Sequence, residues 1–165
     1  MPVTINGSGQ VPVQVVSTTK LDRFNSTSGT MVDITGMSVN ITPTSASNKV
    51  LIIVSMIVSA DTWANSAGMA VNLVRNSTNL AVGTSGSNLN ATSGYNAFSS
   101  NEVNTYYNFS PMVITFVDSP NTTSSTTYKL QGRNNTGGYS FAINGRIANG
   151  DLGYSSTITV MEISG

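Results

Sequence analysis

The chain of 165 residues contains no cysteine and no histidine. Without cysteine it has no disulfides, no thiolate nucleophile and no zinc site built on thiolates. Without histidine it lacks the commonest general base and the commonest transition-metal ligand. The acidic residues form no close local cluster, and the sequence has neither a phosphate-binding loop nor a nucleophile elbow. We therefore predict no catalytic residue, no metal site and no cofactor, and a protein that is not an enzyme.

Charge is also scarce. Charged residues make up 8% of the chain and cancel to a net charge of zero, against roughly 25% in an average soluble domain. This balance argues against binding to nucleic acid, which needs a basic surface, and against binding to an anionic membrane. A surface with so little net charge favours association. We predict that neighbouring subunits cover much of it; the alternative is that the many serine, threonine and asparagine side chains solvate it unaided.

Helix signals are nearly absent, because β-branched residues dominate and no window shows a 3.6-residue apolar period between caps. Short apolar runs alternate instead with clusters of glycine, asparagine, serine and proline. This pattern predicts an all-β sandwich or barrel. The number of candidate strands exceeds that of an immunoglobulin-like sandwich and is close to that of a jelly roll, so we expect an antiparallel jelly-roll sandwich that forms a single domain over residues 13–165. Residues 1–12 are predicted to be an extended arm, and residues 76–104 to be surface loops with one short strand.

The longest apolar run, residues 50–60, raises the question of what covers it. It is too short to cross a bilayer, which takes about 20 apolar residues, and it lacks the caps of a core helix. Its even positions are all apolar, and so are Leu51, Ile53 and Ile57 at odd positions. A strand covered on one face alternates apolar with polar residues. This strand is therefore predicted to be covered on both faces, and, with no helices available, the second cover is another copy of the chain.

Residues 112–117 and 156–163 show the same excess of apolar side chains, which predicts that one sheet forms a subunit interface. The alternative is that the interior of a β-rich chain is locally hydrophobic by chance. The candidate interface residues are Leu51, Ile53, Ile57, Met112, Ile114, Phe116, Met161 and Ile163.

Aromatic side chains in polar loops are the candidates for binding a receptor or another partner. Rings beside amide and hydroxyl groups suit the faces of sugars and the hot spots of protein interfaces. The alternative is that most of these rings cap the ends of the core. The candidates are Trp63, Tyr95, Tyr106, Tyr107, Tyr139 and Tyr154.

Several segments give the chain a family resemblance. VQVVSTTKLDRF, MVDITGMSVNITPTSASNKVLIIVSM, AVNLVRNSTNLAVG, VDSPNTTSSTTYKLQGRN and STITVMEISG follow one another. Together they resemble small domains of virion proteins of tailed bacteriophages, chiefly the fibres and knobs of marine phages. The succession of strands also resembles the jelly roll of the C1q and tumour-necrosis-factor type. That resemblance implies a homotrimer formed through one sheet of each sandwich, with residues 50–60, 112–117 and 156–163 on the inner sheet.

The resemblance implies a location in the virion, after assembly in the host cytoplasm. The leading INGSG is similar to the start of short phage fibre proteins, whose first segment attaches to the particle. We expect a short tail fibre or knob that contributes to attachment to the host surface; the alternative is a capsid decoration, cement or head-fibre protein that stabilises the shell. A surface adhesin is disfavoured, because the first residues do not resemble a secretory signal.

The expected partners follow from this role. They are further copies of the chain, other virion proteins bound through residues 1–12, and a glycan or protein of the host surface. Nucleic acid and membrane insertion are not expected.

Overall fold

The computed structural model describes residues 12–60, 68–84, 86, 90–96, 109–135, 138–146 and 152–165. Within these ranges the chain forms strands and no helix. The strands are β1 (Pro12–Lys20), β2 (Phe24–Ser26), β3 (Val32–Ile41), β4 (Lys49–Ala60), β5 (Gly68–Arg75), β6 (Thr78–Leu80), β7 (Ser93–Asn96), β8 (Ser110–Asp118), β9 (Thr126–Asn134), β10 (Phe141–Ile143) and β11 (Ser156–Ile163).

The strands form two antiparallel sheets. Sheet A has the order β1-β11-β4-β8. The short β10 pairs with the last residues of β4, along the same side of β4 as β11, and β2 pairs with β10. Sheet B has the order β3-β9-β5, and β6 and β7 both pair with the remaining side of β5. Four strands in the order β1-β11-β4-β8 therefore face four in the order β3-β9-β5-β7, which is jelly-roll connectivity. The predicted all-β jelly-roll sandwich is confirmed.

β4 has strands along both of its sides. β8 pairs with it from Val50 to Val58, and β11 and β10 share its other side end to end. Its even-numbered residues from Val50 to Ala60 are buried, while Ile53 on the opposite face is 39% exposed. The long apolar run is therefore a strand with one face in the core and one face outside it, as its period of two requires.

The core lies between the sheets. Its largest fully buried side chains include Tyr128, Phe141, Met37, Ile52 and Met56. β3 contributes to this core along its length and is a single strand, although it has a bulge at Gly36. Gly36 has a φ of +83°, and the pairing with β9 shifts register between Asp33 and Ser38. A bulge with glycine in the left-handed region lets the strand bend without ending.

Sheets A and B are joined by different contacts at the two edges of the sandwich. On one side β1 contacts β3, and β1 has a register shift between Pro12 and Gln14. On the other side a partly buried network of polar side chains joins the sheets. Arg75 Nη1 of β5 lies 2.9 and 2.8 Å from the two carboxylate oxygens of Asp118 in β8, and the Tyr128 hydroxyl donates to Asp118 Oδ2 at 2.7 Å.

Candidate functional site

Four strands of sheet A turn one set of side chains away from the core, and we call this set the outer face of sheet A. The pairing registers align three residues of each strand in rows that cross the sheet. All of them are exposed or half-buried. The outer face consists of Val15, Ser17 and Thr19 of β1, Thr157, Thr159 and Met161 of β11, Leu51, Ile53 and Ser55 of β4, and Val113, Thr115 and Val117 of β8.

None of these twelve residues of the outer face is charged, and Lys49, which pairs with Ile163, lies on the same side of sheet A beyond the apolar row. One row across the four strands is wholly apolar, with Val15, Met161, Leu51 and Val117 side by side. The other two rows combine small hydroxyl side chains with apolar residues, among them Val113, which is 65% exposed. Burying a face of this kind against another protein costs little free energy, because no charged group has to be desolvated.

The outward face of sheet B is different. Lys129 Nζ lies 2.8 Å from Asp33 Oδ2, and Gln131 Nε2 donates to Asp33 Oδ1 at 2.7 Å. These hydrogen bonds, first from Lys129 and then from Gln131, hold the pKa of Asp33 below its ordinary value. Nearby, Thr127 Oγ1 donates to Asn40 Oδ1 at 2.7 Å. These polar side chains therefore form hydrogen bonds with one another across neighbouring strands, and a face of this kind suits contact with water.

The predicted interface residues divide between two faces. Leu51, Ile53, Ile57, Met161 and Ile163 lie on the outward side of sheet A, exposed or half-buried.

Met112, Ile114 and Phe116, by contrast, do not lie on the outer face. Met112 and Ile114 belong to the core, and Phe116 packs against it. The reason is register. Ile53 is opposite Thr115, so the odd-numbered residues of β8 share the outward side with Ile53 and the even-numbered ones point inward. Val113 and Val117 are the outward residues that sequence reasoning missed. The signal that could have found them is Thr115, the one polar side chain within residues 112–117.

Half of the predicted aromatic site falls outside what the structure describes. Trp63, Tyr106 and Tyr107 lie outside the described residues.

The other three candidate tyrosines are half-buried and sit on different elements. Tyr95 is in β7, where burial against the core raises the pKa of its hydroxyl. Tyr139 precedes β10. Tyr154 precedes β11, and its ring centroid lies 5.1 Å from that of Phe109, which is 42% exposed and which sequence reasoning did not select. Tyr154 and Phe109 thus form an aromatic pair at the surface.

The acidic group whose pKa departs most from its ordinary value is Glu162 of β11, which is fully buried. Its Oε1 accepts hydrogen bonds from the Thr44 amide at 2.7 Å, the Thr44 hydroxyl at 2.9 Å and Asn48 Nδ2 at 2.6 Å. Its Oε2 accepts from Gln14 Nε2 at 2.6 Å, and the same Nε2 also donates to the Thr42 carbonyl at 2.7 Å. Burial alone would raise the pKa of Glu162, but these hydrogen bonds outweigh burial and hold the pKa at about 2.

Glu162 is therefore a structural carboxylate. Its donors come from β1 and from the connection between β3 and β4, so it fixes both segments to β11. Among the described residues, no three His, Cys, Asp or Glu side chains are grouped to hold a metal ion. No helix in the described ranges is long and apolar enough to span a membrane.

Comparison with known proteins gives distant structural similarities. No protein-family model and no curated protein matches the sequence. Infectious bursal virus derived T=1 particles contain a chain with 11% identity and a TM-score of 0.40, over 99% of this chain and 42% of that one. The Gx strain of infectious bursal disease virus gives 15% identity and a TM-score of 0.41, over 99% and 46%. The VP2 subviral particle of the same virus gives 15% and 0.38, over 99% and 43%. This chain spans less than half the length of those viral chains.

Proposed function

We propose that this protein is a non-enzymatic structural subunit of a virus particle, and that it assembles with copies of itself through the outer face of sheet A. The observation that carries the proposal is the contrast between the two outward faces of the sandwich. One is uncharged and has a complete apolar row, whereas the other has hydrogen-bonded polar and charged side chains. An asymmetric pair of faces orients a subunit, with the first face against its neighbours and the second towards solvent.

The proposed assembly is a homotrimer. The resemblance to C1q-type jelly rolls supports three-fold symmetry, and the position of Ile53 at the middle of the outer face supports burial there. Ile53 is in the second of the three rows and on one of the two central strands. A closed ring of three copies would remove this residue from water in every subunit.

The proposed role within the particle is a short tail fibre or knob that contributes to host attachment. Residues 1–12 would attach the subunit to other virion proteins, and the polar side of the sandwich and its end loops would remain available to a glycan or protein of the host surface. The aromatic pair of Tyr154 and Phe109 supports this role, because exposed rings bind sugar faces and protein hot spots. The second candidate is a decoration or head-fibre protein that stabilises the capsid; the uncharged outer face of sheet A supports both roles equally.

Replacing Ile53 with aspartate tests the assembly. The side chain is 39% exposed in the single chain, so the variant should fold, yet burying its charge in an interface would be costly. We expect trimers of the wild-type protein in sedimentation velocity and no trimers of Ile53→Asp at the same concentration, and a similar loss of the trimer for Ile57→Asp. The matched control is Ser38→Asp, on the exposed face of sheet B opposite Lys129, which should stay trimeric. A wild-type monomer, or a trimeric Ile53→Asp variant, would overturn the proposal.

The role is tested in the intact particle. Electron microscopy of the virion distinguishes a tail position from a capsid position. A fibre or knob should bind host cells and lose that binding in Tyr154→Ala or Trp63→Ala variants that remain folded and trimeric. A decoration protein should instead saturate capsid sites and show no affinity for host cells.

A further inference from the structure

We infer that β8 is a second assembly surface, and that its free edge pairs with β8 of a second copy of this chain to continue sheet A across two subunits. The inference goes beyond the proposed function, because it concerns the edge of the sheet and not its outer face. It starts from the pairing of β8, which among the described strands pairs with β4 alone.

The direction of the backbone groups of β8 follows from Ile57. Asn144 N–H donates to the Ile57 carbonyl at 3.0 Å, and the Ile57 amide donates to Ser156 Oγ at 3.4 Å. Asn144 and Ser156 belong to the β10 and β11 side of β4, so both backbone groups of Ile57 point away from β8. In an antiparallel ladder, the N–H and C=O of one residue point to the same side, and this side alternates along the strand.

Pro111 lies opposite Ile57 and is therefore in a pair without hydrogen bonds to β4. The register runs to Asp118 without a shift, so Val113, Thr115 and Val117 follow the same alternation. All three direct their N–H and C=O groups to the free edge. The position of Pro111 agrees, because proline in a sheet occurs where its nitrogen faces outward. Since Pro111 has no N–H, the free edge offers a complete template only from Val113 to Val117.

Among the described residues, this edge has none of the features that usually prevent a strand edge from pairing with another chain. Sheets avoid edge pairing with charges, bulges, short strands or cover from another element. β8 is nine residues long, its pairing with β4 has no bulge, and its residues before Asp118 are uncharged. Asp118 itself is turned inward to Arg75. The opposite edge of sheet A is β1, which has a bulge next to Pro12 and contacts β3. Because this second edge is protected, pairing through β8 would join two copies of the chain and no more.

The occupant we commit to is β8 of a second copy, because the edge is complementary to itself. Its outward residues read Val, Thr, Val in either direction. An antiparallel pair centred on a two-fold axis at Thr115 would set Val113 against Val117 of the second copy and Thr115 against Thr115 of the second copy. Three such pairs with two backbone hydrogen bonds each would form. Valine would meet valine, threonine would meet threonine, and no like charges would be opposed.

A charge swap at the two-fold axis tests this pairing. In the Ile57→Asp background, where the trimer is lost and does not bury the outer face, Thr115→Lys and Thr115→Glu would each oppose two like charges, and we expect each to weaken the two-fold association by about tenfold or more. An equal mixture of the two variants should restore it. Thr159→Lys is the matched control, since Thr159 is in the same row of the outer face but on the interior strand β11. Unchanged association of Thr115→Lys, or no recovery on mixing, would overturn the inference.

The Ile57→Asp background separates this edge from the face-to-face assembly, because Ile57 lies opposite Pro111 and not opposite Thr115. There we expect a dimer that dissociates when Thr115→Lys is added. If Ile57→Asp is monomeric at every concentration, the edge inference fails while the proposed function stands.

Amide hydrogen exchange gives an independent readout. Dimer formation should slow exchange at Val113, Thr115 and Val117, whereas Ile114 and Phe116 should be protected in monomer and dimer alike because their amides bond to β4. Fast exchange at all three outward residues in the fully formed assembly would contradict edge pairing.

Discussion

Replacing Glu162 with glutamine tests the buried carboxylate with the smallest change of shape. The three hydrogen bonds to Oε1 can persist, although they become weaker with a neutral acceptor. The new amide nitrogen would take the place of Oε2 and face Gln14 Nε2, so two donors would meet. Rotating the Gln14 amide would relieve that conflict but would break its bond to the Thr42 carbonyl. One bond of about 1.5–3 kcal/mol to a charged group is therefore lost and three are weakened, which gives about 3 kcal/mol in the free energy of unfolding.

Urea unfolding at pH 7 and at one fixed protein concentration measures this loss. In a chain of this size, about 3 kcal/mol corresponds to a fall in Tm of about 6–12 °C. The control is Asp33→Asn, where the carboxylate is exposed and paired with Lys129, and we expect a change of about 1 kcal/mol or less. Because Gln14 transmits most of the cost, Gln14→Ala and Glu162→Gln should be less than additive when combined.

The pH dependence of the difference in stability between wild type and Glu162→Gln can refute this reasoning. The pKa of Glu162 is about 2 in the folded protein and 4.5 ordinarily. A lowered pKa contributes stability that is complete above about pH 4.5 and is lost as the pH falls towards 2. The difference between wild type and Glu162→Gln should therefore shrink over that window. A difference below about 0.5 kcal/mol at pH 7, or one that does not change between pH 5 and pH 2.5, would refute the reasoning.

Two further substitutions test the interior. Tyr128→Phe removes the buried hydroxyl that donates to Asp118 at 2.7 Å, and urea unfolding should show a loss of about 1–2 kcal/mol, since Asp118 keeps its arginine; no loss would show that this bond adds nothing to stability. Gly132→Ala would place a Cβ 2.9 Å from the Phe141 ring, and overpacking should lower the free energy of unfolding by about 1–3 kcal/mol. Gly153→Ala, with nothing within 4 Å of its added Cβ, is the control and should stay near wild type; equal effects would contradict the packing argument.

The faces of β4 were predictable from sequence, because the period of two sorts its side chains without reference to any neighbour. The faces of β8 were ambiguous, because Thr115 indicates that the odd-numbered residues face water and Asp118 indicates the opposite. Both parities of residues 112–117 are largely apolar, and Asp118, which shares the even parity, suggests that this parity faces water. The structure instead buries Asp118 against Arg75 and Tyr128. An ion pair between distant strands thus reverses what the local pattern indicates.

The sequence by itself determined the all-β class and the long strand with two apolar faces. Both depend on local alternation and on the scarcity of helix formers, which act over a few residues. The absence of cysteine and histidine excluded thiolate and imidazole chemistry in the same direct way.

Only the tertiary structure decided which valines of β8 face outward, that the buried Glu162 accepts hydrogen bonds from the uncharged groups of Gln14, Thr44 and Asn48, and that β8 pairs with β4 alone among the described strands. Each of these depends on pairing between segments far apart in the chain, such as Ile53 with Thr115 and Gln14 with Glu162. Strand register and hydrogen-bond direction are properties of the paired strands together, so neither can be read from one segment alone.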